Sequence, residues 1–240
     1  DRAKSWVDEP DVRLYGYWFW DWFEEYQQVA SIDPAESSFT LTKPYSAYGY
    51  RKGQRYYAVN IFRELDQPGE WYLDRGRGKL YWLPPADVAV STANIVLSVY
   101  SEPFFALENV EHVVLLRLTV QDGRQDGIQI KGGSDCLVEN CTVSDISRIK
   151  RTYAPAVHLD GCGNRVAHNL FERIPSSAMR IEGNEHLIEL NRIRNVVQES
   201  DDQGGIDMFG NPLYRGVVIR WNRWSDIIGG TECGAAGVRL

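Results

Sequence analysis

Beyond about residue 94, short runs that alternate apolar and polar positions recur in a fixed order. Aligning residues 114–120, 137–143, 165–171, 187–193 and 218–224 gives one column of Leu118, Cys141, Asn169, Asn191 and Asn222. Two residues later the column reads Val120, Val143, Phe171, Ile193 and Trp224, and three residues before the first it reads Leu115, Val138, Val166, Ile188 and Ile219. A second type of run separates these, at 127–130, 156–159, 178–181, 205–208 and 237–240. Each of these has one apolar and one wet face, the mark of a strand. Repeat spacings of 22 to 32 residues fit one circuit of a stacked solenoid, with the excess in loops. Sandwich strands differ from one another and are joined by hairpins, and the leucine-rich frame is absent. The pattern therefore predicts an all-β chain whose second part is a right-handed parallel β-helix, a single-stranded, pectate-lyase-like solenoid. The asparagine column suits a corner, because Asn tolerates left-handed backbone and its amide can bond from coil to coil.

Residues 1–88 are a different text. They hold six of the eight tryptophans, and the pattern changes near residue 88. This predicts two regions, an aromatic-rich β subdomain over 1–88 and β-helix coils over 89–240. Residues 70–83 read as two strands about a turn containing Gly76 and Gly78, stopped by Pro84 and Pro85. Residues 29–42 read as strand, turn and strand, and a helix is expected around 20–27.

Composition narrows the function. Hydrophobic residues at 43% and charged residues at 25% support a packed core. A net charge of −7 argues against nucleic acid as a partner, since displacing counterions needs a basic surface. No run is long and apolar enough to span a bilayer. The chain begins at Asp1 and stops within an alternating run, so it is read as a fragment, without a signal peptide. The cysteines (Cys136, Cys141, Cys162 and Cys233) lack zinc-site spacing and read as small buried thiols, with a Cys136–Cys162 disulfide as the open alternative.

Stacking the second type of run sets Gln129, His158, Arg180, Asp207 and Arg239 in a file, about 4.8 Å apart. Against a merely solvated face stands the absence of Lys and Glu from this file. Loops at 148–155, with Arg151 and Tyr153, and at 198–205, with Glu199, Asp201 and Asp202, enter the His158 and Asp207 strands and would wall a groove. Paired carboxylates are what glycoside hydrolysis needs, so Asp201 and Asp202 are the catalytic candidates. His158, Arg180, Asp207, Glu199, Arg151 and Tyr153 would bind substrate. The alternative for the acidic loop is a structural Ca²⁺ cluster; no catalytic metal or cofactor is expected. His168 and His186 fall on the other strand type and read as structural.

Several stretches carry a likeness. Residues 48–57 and 64–74, Arg151-Thr152-Tyr153-Ala154-Pro155, Gly163-Asn164-Arg165-Val166-Ala167-His168-Asn169, Gly183-Asn184-Glu185-His186 and Glu199-Ser200-Asp201-Asp202-Gln203-Gly204 resemble β-helix proteins of bacterial carbohydrate-degrading systems. The named group is glycoside hydrolase family 141, which includes fucosidase and xylanase activities. The resemblance implies a secreted or periplasmic enzyme acting on a polysaccharide or oligosaccharide, with the pair matching Asp201-Asp202 catalytic. It also implies a second acidic pair after the strand matching 237–240, so that the fragment alone would be inactive. Two other readings stay open: a polysaccharide lyase using Arg180 or Arg239 against a uronate, and a non-catalytic carbohydrate-binding or adhesive solenoid. Fold alone does not choose among them.

Overall fold

The structure, a computed structural model, describes residues 2–148, 152–229 and 234–240. It falls into two compact units, residues 1–95 and 96–240. Both are built from strands, with three short 3₁₀ helices (Arg2–Trp6, Phe62–Glu64 and Val90–Thr92) among the described residues. No helix among those residues is long and apolar enough to cross a membrane.

The first unit contains β1 (Arg13–Tyr17), β2 (Glu24–Asp33), β3 (Ser38–Leu41) and β4 (Tyr56–Val59), an antiparallel sheet in the order β3-β2-β1-β4. A hairpin of β5 (Trp71–Asp74) and β6 (Lys79–Trp82) follows. The helix expected over 20–27 does not form: Phe23 N–H closes a turn on Trp20 O, and strand begins at Glu24. Tyr26 lies opposite Tyr15, and Tyr15 opposite Tyr57, with ring centroids 4.7 and 5.1 Å apart. Cross-strand aromatic contacts of this kind stabilise a sheet and are unavailable to an isolated helical turn.

The second unit is all parallel. One sheet, called here the first, stacks β7 (Phe105–Glu108), β10 (Ile128–Lys131), β13 (Val157–Leu159), β16 (Met179–Ile181), β19 (Gln203–Asp207) and β22 (Ala235–Arg239). The second stacks β8 (Val114–Leu116), β11 (Leu137–Glu139), β14 (Arg165–Ala167), β17 (Leu187–Glu189) and β20 (Val218–Arg220). The third stacks β9 (Thr119–Gln121), β12 (Thr142–Ser144), β15 (Leu170–Ile174), β18 (Arg192–Val196) and β21 (Arg223–Ile227). The chain visits the three sheets in turn, each circuit adding one strand to each.

Inward side chains stack like on like. Val138, Val166 and Ile188 lie in register in the second sheet, Val143, Phe171 and Ile193 in the third, and Ile130, Leu159 and Ile181 in the first, all fully buried. Burying such a side chain contributes about 1.5–3 kcal/mol, so each strand draws stability from those stacked on it.

Two polar ladders run up the inside corners. Asn169 and Asn191 each accept the backbone N–H of the circuit below through Oδ1 (Cys141 N 2.8 Å, Asn169 N 3.0 Å). Asn191 Nδ2 donates to Val166 O and to Asn222 Oδ1. The left-handed residue at this corner is not the asparagine. It is the residue before it: Arg117, Asn140, His168, Leu190 and Trp221 all have φ near +56° (54° to 58°). Side-chain amides that face inward to bond along the stack must keep ordinary backbone, and the exposed neighbour makes the bend. The second ladder runs Cys136, Asn164, His186: Asn164 Oδ1 accepts Cys136 N–H at 2.8 Å, and His186 Nδ1 accepts Asn164 N–H at 3.2 Å. Near it Gly161 (φ +95°) and Gly183 (φ +85°) stack so closely that a Cβ on Gly183 would lie 2.2 Å from Gly161 O.

The ladder explains why no Cys136–Cys162 disulfide forms. Cys136 stacks beneath Asn164 and is buried, whereas Cys162 bridges Ser134 and Asn184 and is exposed. Both are free thiols, as is buried Cys141. The buried-thiol expectation therefore fails at Cys162, while Cys233 lies outside the described residues.

Candidate active site

Strand alternation puts every second residue of the first sheet on its outer face. The pairing registers Gln129, His158, Arg180, Asp207 and Arg239 in one row, in that order. The next outward position, two residues on, adds Glu182 after Arg180 and Phe209 after Asp207.

Asp207 is the anomaly of this row. It is 1% exposed, and among the described residues neither carboxyl oxygen has a hydrogen-bond partner. Burial pushes its pKa up. Arg239 and Arg180 on either side pull the other way, helped by the nearby Gly204 N–H, which falls short of hydrogen-bond geometry, and Asp202 adds to the rise. Burial wins, so this carboxyl holds its proton to higher pH than an ordinary aspartate.

Each arginine beside it is held by another carboxylate. Arg180 Nε donates to Glu182 Oε1 at 2.8 Å. Arg239 Nη1 lies 3.0 Å from Asp202 Oδ1 and also donates to the Asp202 carbonyl. Asp202 reaches this position from a left-handed residue (φ 56°) whose N–H donates to Gly234 O. Phe209 is 39% exposed, and its ring lies 5.0 Å from both guanidinium carbons. Tyr153 meets Phe209 edge-on at 5.5 Å, and burial pushes its phenol up to about 12.

His158 adds a neutral base. Burial lowers its pKa; Glu182 opposes this, and Arg180 reinforces it. Its Nε2 is buried without a hydrogen bond among the described residues, 3.6 Å from Glu182 Oε1.

His158, Arg180, Asp207, Asp202 and Tyr153 thus gather around one patch. The acidic pair divides: Asp202 turns to Arg239, while its neighbour Asp201 is buried at 1% exposure. Glu199 is exposed, on a loop whose backbone N–H groups at 199 and 200 bond Pro175 O. Arg151 lies outside the described residues. Among those residues no group of three or more His, Cys, Asp or Glu side chains is placed to hold a metal ion. His186 is fully buried in the corner ladder, and His168 makes an exposed bend.

Sequence reasoning missed Glu182 and Phe209. The period-2 rule that built the file would have found them one step further along each strand. A carboxyl of raised pKa, an imidazole of lowered pKa, two guanidiniums and two further carboxylates on one face can transfer protons and bind a polar substrate. Perturbed titrating groups of this kind concentrate at functional sites. No protein-family model, curated protein or solved structure matches the chain.

Proposed function

We propose that this chain belongs to a right-handed parallel β-helix enzyme that cleaves polysaccharide, a glycoside hydrolase working on the outer face of the first sheet. The solenoid reading is supported by three parallel sheets visited in turn and by the corner ladders. The hydrolase reading rests on one observation: Asp207 is a carboxyl whose pKa burial raises, in register between Arg180 and Arg239. Glycoside hydrolysis needs a proton donor for the leaving oxygen and a second carboxylate as nucleophile or base. Asp207 fits the donor, because it holds its proton to higher pH than an ordinary aspartate. Asp202, at Arg239, is the second carboxylate. His158, Arg180 and Glu182 would orient sugar hydroxyls, and Phe209 with Tyr153 offers an aromatic edge to a ring. Asp207 is screened from solvent, so substrate reaches it only after side chains packed on its arginine neighbours move. The likeness to glycoside hydrolase family 141 points the same way, and with it goes a secreted or periplasmic location.

A second reading has one observation in its favour. Neutral His158, with Nε2 unbonded beside Arg180, is the pairing of base and cation that a polysaccharide lyase requires. The product decides. Incubating the intact protein with a glycan panel and weighing the products should give fragments that carry one added water. Unsaturated fragments would replace the hydrolase with a lyase centred on His158. Hydrolysis that persists at full rate in both Asp207→Asn and Asp202→Asn would sink the site, and cleavage of nothing would favour a binding solenoid.

A further inference from the structure

The N-terminal unit contains a cleft of about 730 Å³. That lies within the range of about 300–1,000 Å³ usual for small-molecule sites. One wall is aromatic. Phe62 meets Tyr72 and Tyr81 edge-on, each at 5.2 Å, and Phe62 remains 47% exposed. The rest is charged and nearly balanced, with four carboxylates (Asp8, Glu9, Asp11 and Asp74) against three guanidiniums (Arg63, Arg75 and Arg77).

Several of these groups already have partners. Glu9 accepts the backbone N–H groups of Phe62 and Arg63 at 3.2 and 3.1 Å, Asp11 accepts from Asn60 Nδ2 at 3.1 Å and from Arg75, and Arg77 lies 3.6 Å from Asp74. Yet the arginine side chains remain 45% to 75% exposed. A guanidinium has five donors, so most of that capacity is still open to a ligand. Near-balanced charge gives little pull on a phosphate or a polyamine. Donors and acceptors of both charges beside an aromatic wall instead suit a ligand with one apolar face and a rim of hydroxyls.

We propose that this cleft binds a neutral saccharide, its ring against Phe62 and Tyr81 and its hydroxyls shared among Asp74, Arg75 and Arg77. The site is separate from the catalytic proposal and would serve a hydrolase, a lyase or a binding protein alike.

Gly76 allows a clean test. It lines the cleft, its φ is not left-handed, and a Cβ there meets only Asp74 Oδ1, at 3.5 Å. Gly76→Phe should therefore add bulk to the cleft lining while leaving the fold intact. Titrations by calorimetry and ligand-observed NMR would use xylotetraose, cellotetraose, mannotetraose and inorganic phosphate. They would be run on the intact protein carrying Asp207→Asn, so that no sugar is consumed. At least one tetrasaccharide should bind, and Gly76→Phe and Phe62→Ala should each weaken it more than tenfold. Phe62→Ala serves alone if Gly76→Phe fails to fold by circular dichroism, because its ring is half exposed. Binding unchanged by these variants, no tetrasaccharide bound at millimolar concentration, or phosphate bound in preference would each overturn the proposal. Loss of hydrolysis in Asp207→Asn with cleft binding intact would separate the two sites.

Discussion

The outer faces of the second and third sheets and that of the first carry charged rows built by the same repeat, and they treat carboxylates in opposite ways. On the second sheet, Glu189 accepts from Arg165 below it at 2.7 Å and from Arg220 above it at 2.8 Å, and its pKa is lowered by Arg220 first. On the third, burial would raise Glu172, but hydrogen bonds from Arg194 and Arg173 outweigh it and hold the pKa below the ordinary value. On the first sheet Asp207 also has an arginine in register on each side, yet those two donate to Glu182 and Asp202 instead. Its pKa rises. Stacked arginines do not by themselves stabilise a carboxylate; they do so only when their donors point at it. A row whose demands are met internally is structural, and a row that leaves a buried carboxyl unanswered has capacity left for a substrate.

The largest effect expected from this contrast is at Asp207. Asp207→Asn should lower glycan cleavage by about 10²–10⁴-fold, the usual contribution of a general acid, as measured by kcat/KM on the best substrate found. Stability should move the other way. A carboxyl with raised pKa contributes stability below its unfolded pKa of about 3.9, and that contribution is lost as pH rises through the folded value. The variant should therefore melt higher than the parent at pH 7 and lose that advantage near pH 3. A variant both inactive and less stable at pH 7 would return Asp207 to the structural class.

The amide ladder is the answered row at its most complete, and breaking it should cost stability without touching the chemistry. Asn191→Ala removes the acceptor for Asn169 N–H and the donor to Val166 O, both buried. Each group left unsatisfied costs about 1–3 kcal/mol, so urea denaturation should show a loss of roughly 3–5 kcal/mol. His186 tests the other corner. It accepts from Asn164 N–H and donates to Glu182 O at 2.8 Å, and burial lowers its pKa. Its contribution is complete above the unfolded pKa of about 6.5 and fades as pH falls through the depressed folded value. His186→Gln keeps one acceptor and one donor without titrating. Its urea midpoint should fall less than the parent's between pH 7 and pH 5.

Much of this was readable beforehand, for a definite reason. In a stack, register is the repeat, so aligning apolar columns also aligned His158, Arg180, Asp207 and Arg239, and the pairing reproduces that file. Orientation within a polar pair was not readable. Nothing in Asp201-Asp202 says which carboxylate turns inward, because the left-handed backbone at Asp202 decides it. Which guanidinium donates to which carboxylate was equally hidden, since Glu182 competes for Arg180 from the same strand face. The helix expected at 20–27 failed because its periodicity ignored the cross-strand partners of Tyr26. The left-handed corner residues were hidden because they have no common chemistry: Arg117, His168, Leu190 and Trp221 share only a position.

The smallest effect tests the contrast most directly. Glu172 is paired by two arginines whose side chains are 49% and 34% exposed, so solvent screens much of the attraction. Glu172→Gln should cost only about 1 kcal/mol, and less at high salt. The informative readout is the slope of stability against pH. Glu172 has a lowered pKa, so its contribution is complete above the unfolded value of about 4.3 and is lost as pH falls through the folded one. Removing it should make the decline in acid shallower. Removing Asp207, whose shift has the opposite sign, should make that decline steeper. Parallel urea series on Glu172→Gln, Asp207→Asn and the parent between pH 3 and pH 6 would measure both. Slopes that change in the same direction would mean that the two rows do not differ in how they hold a proton, and the case for a reactive first sheet would rest on the products alone.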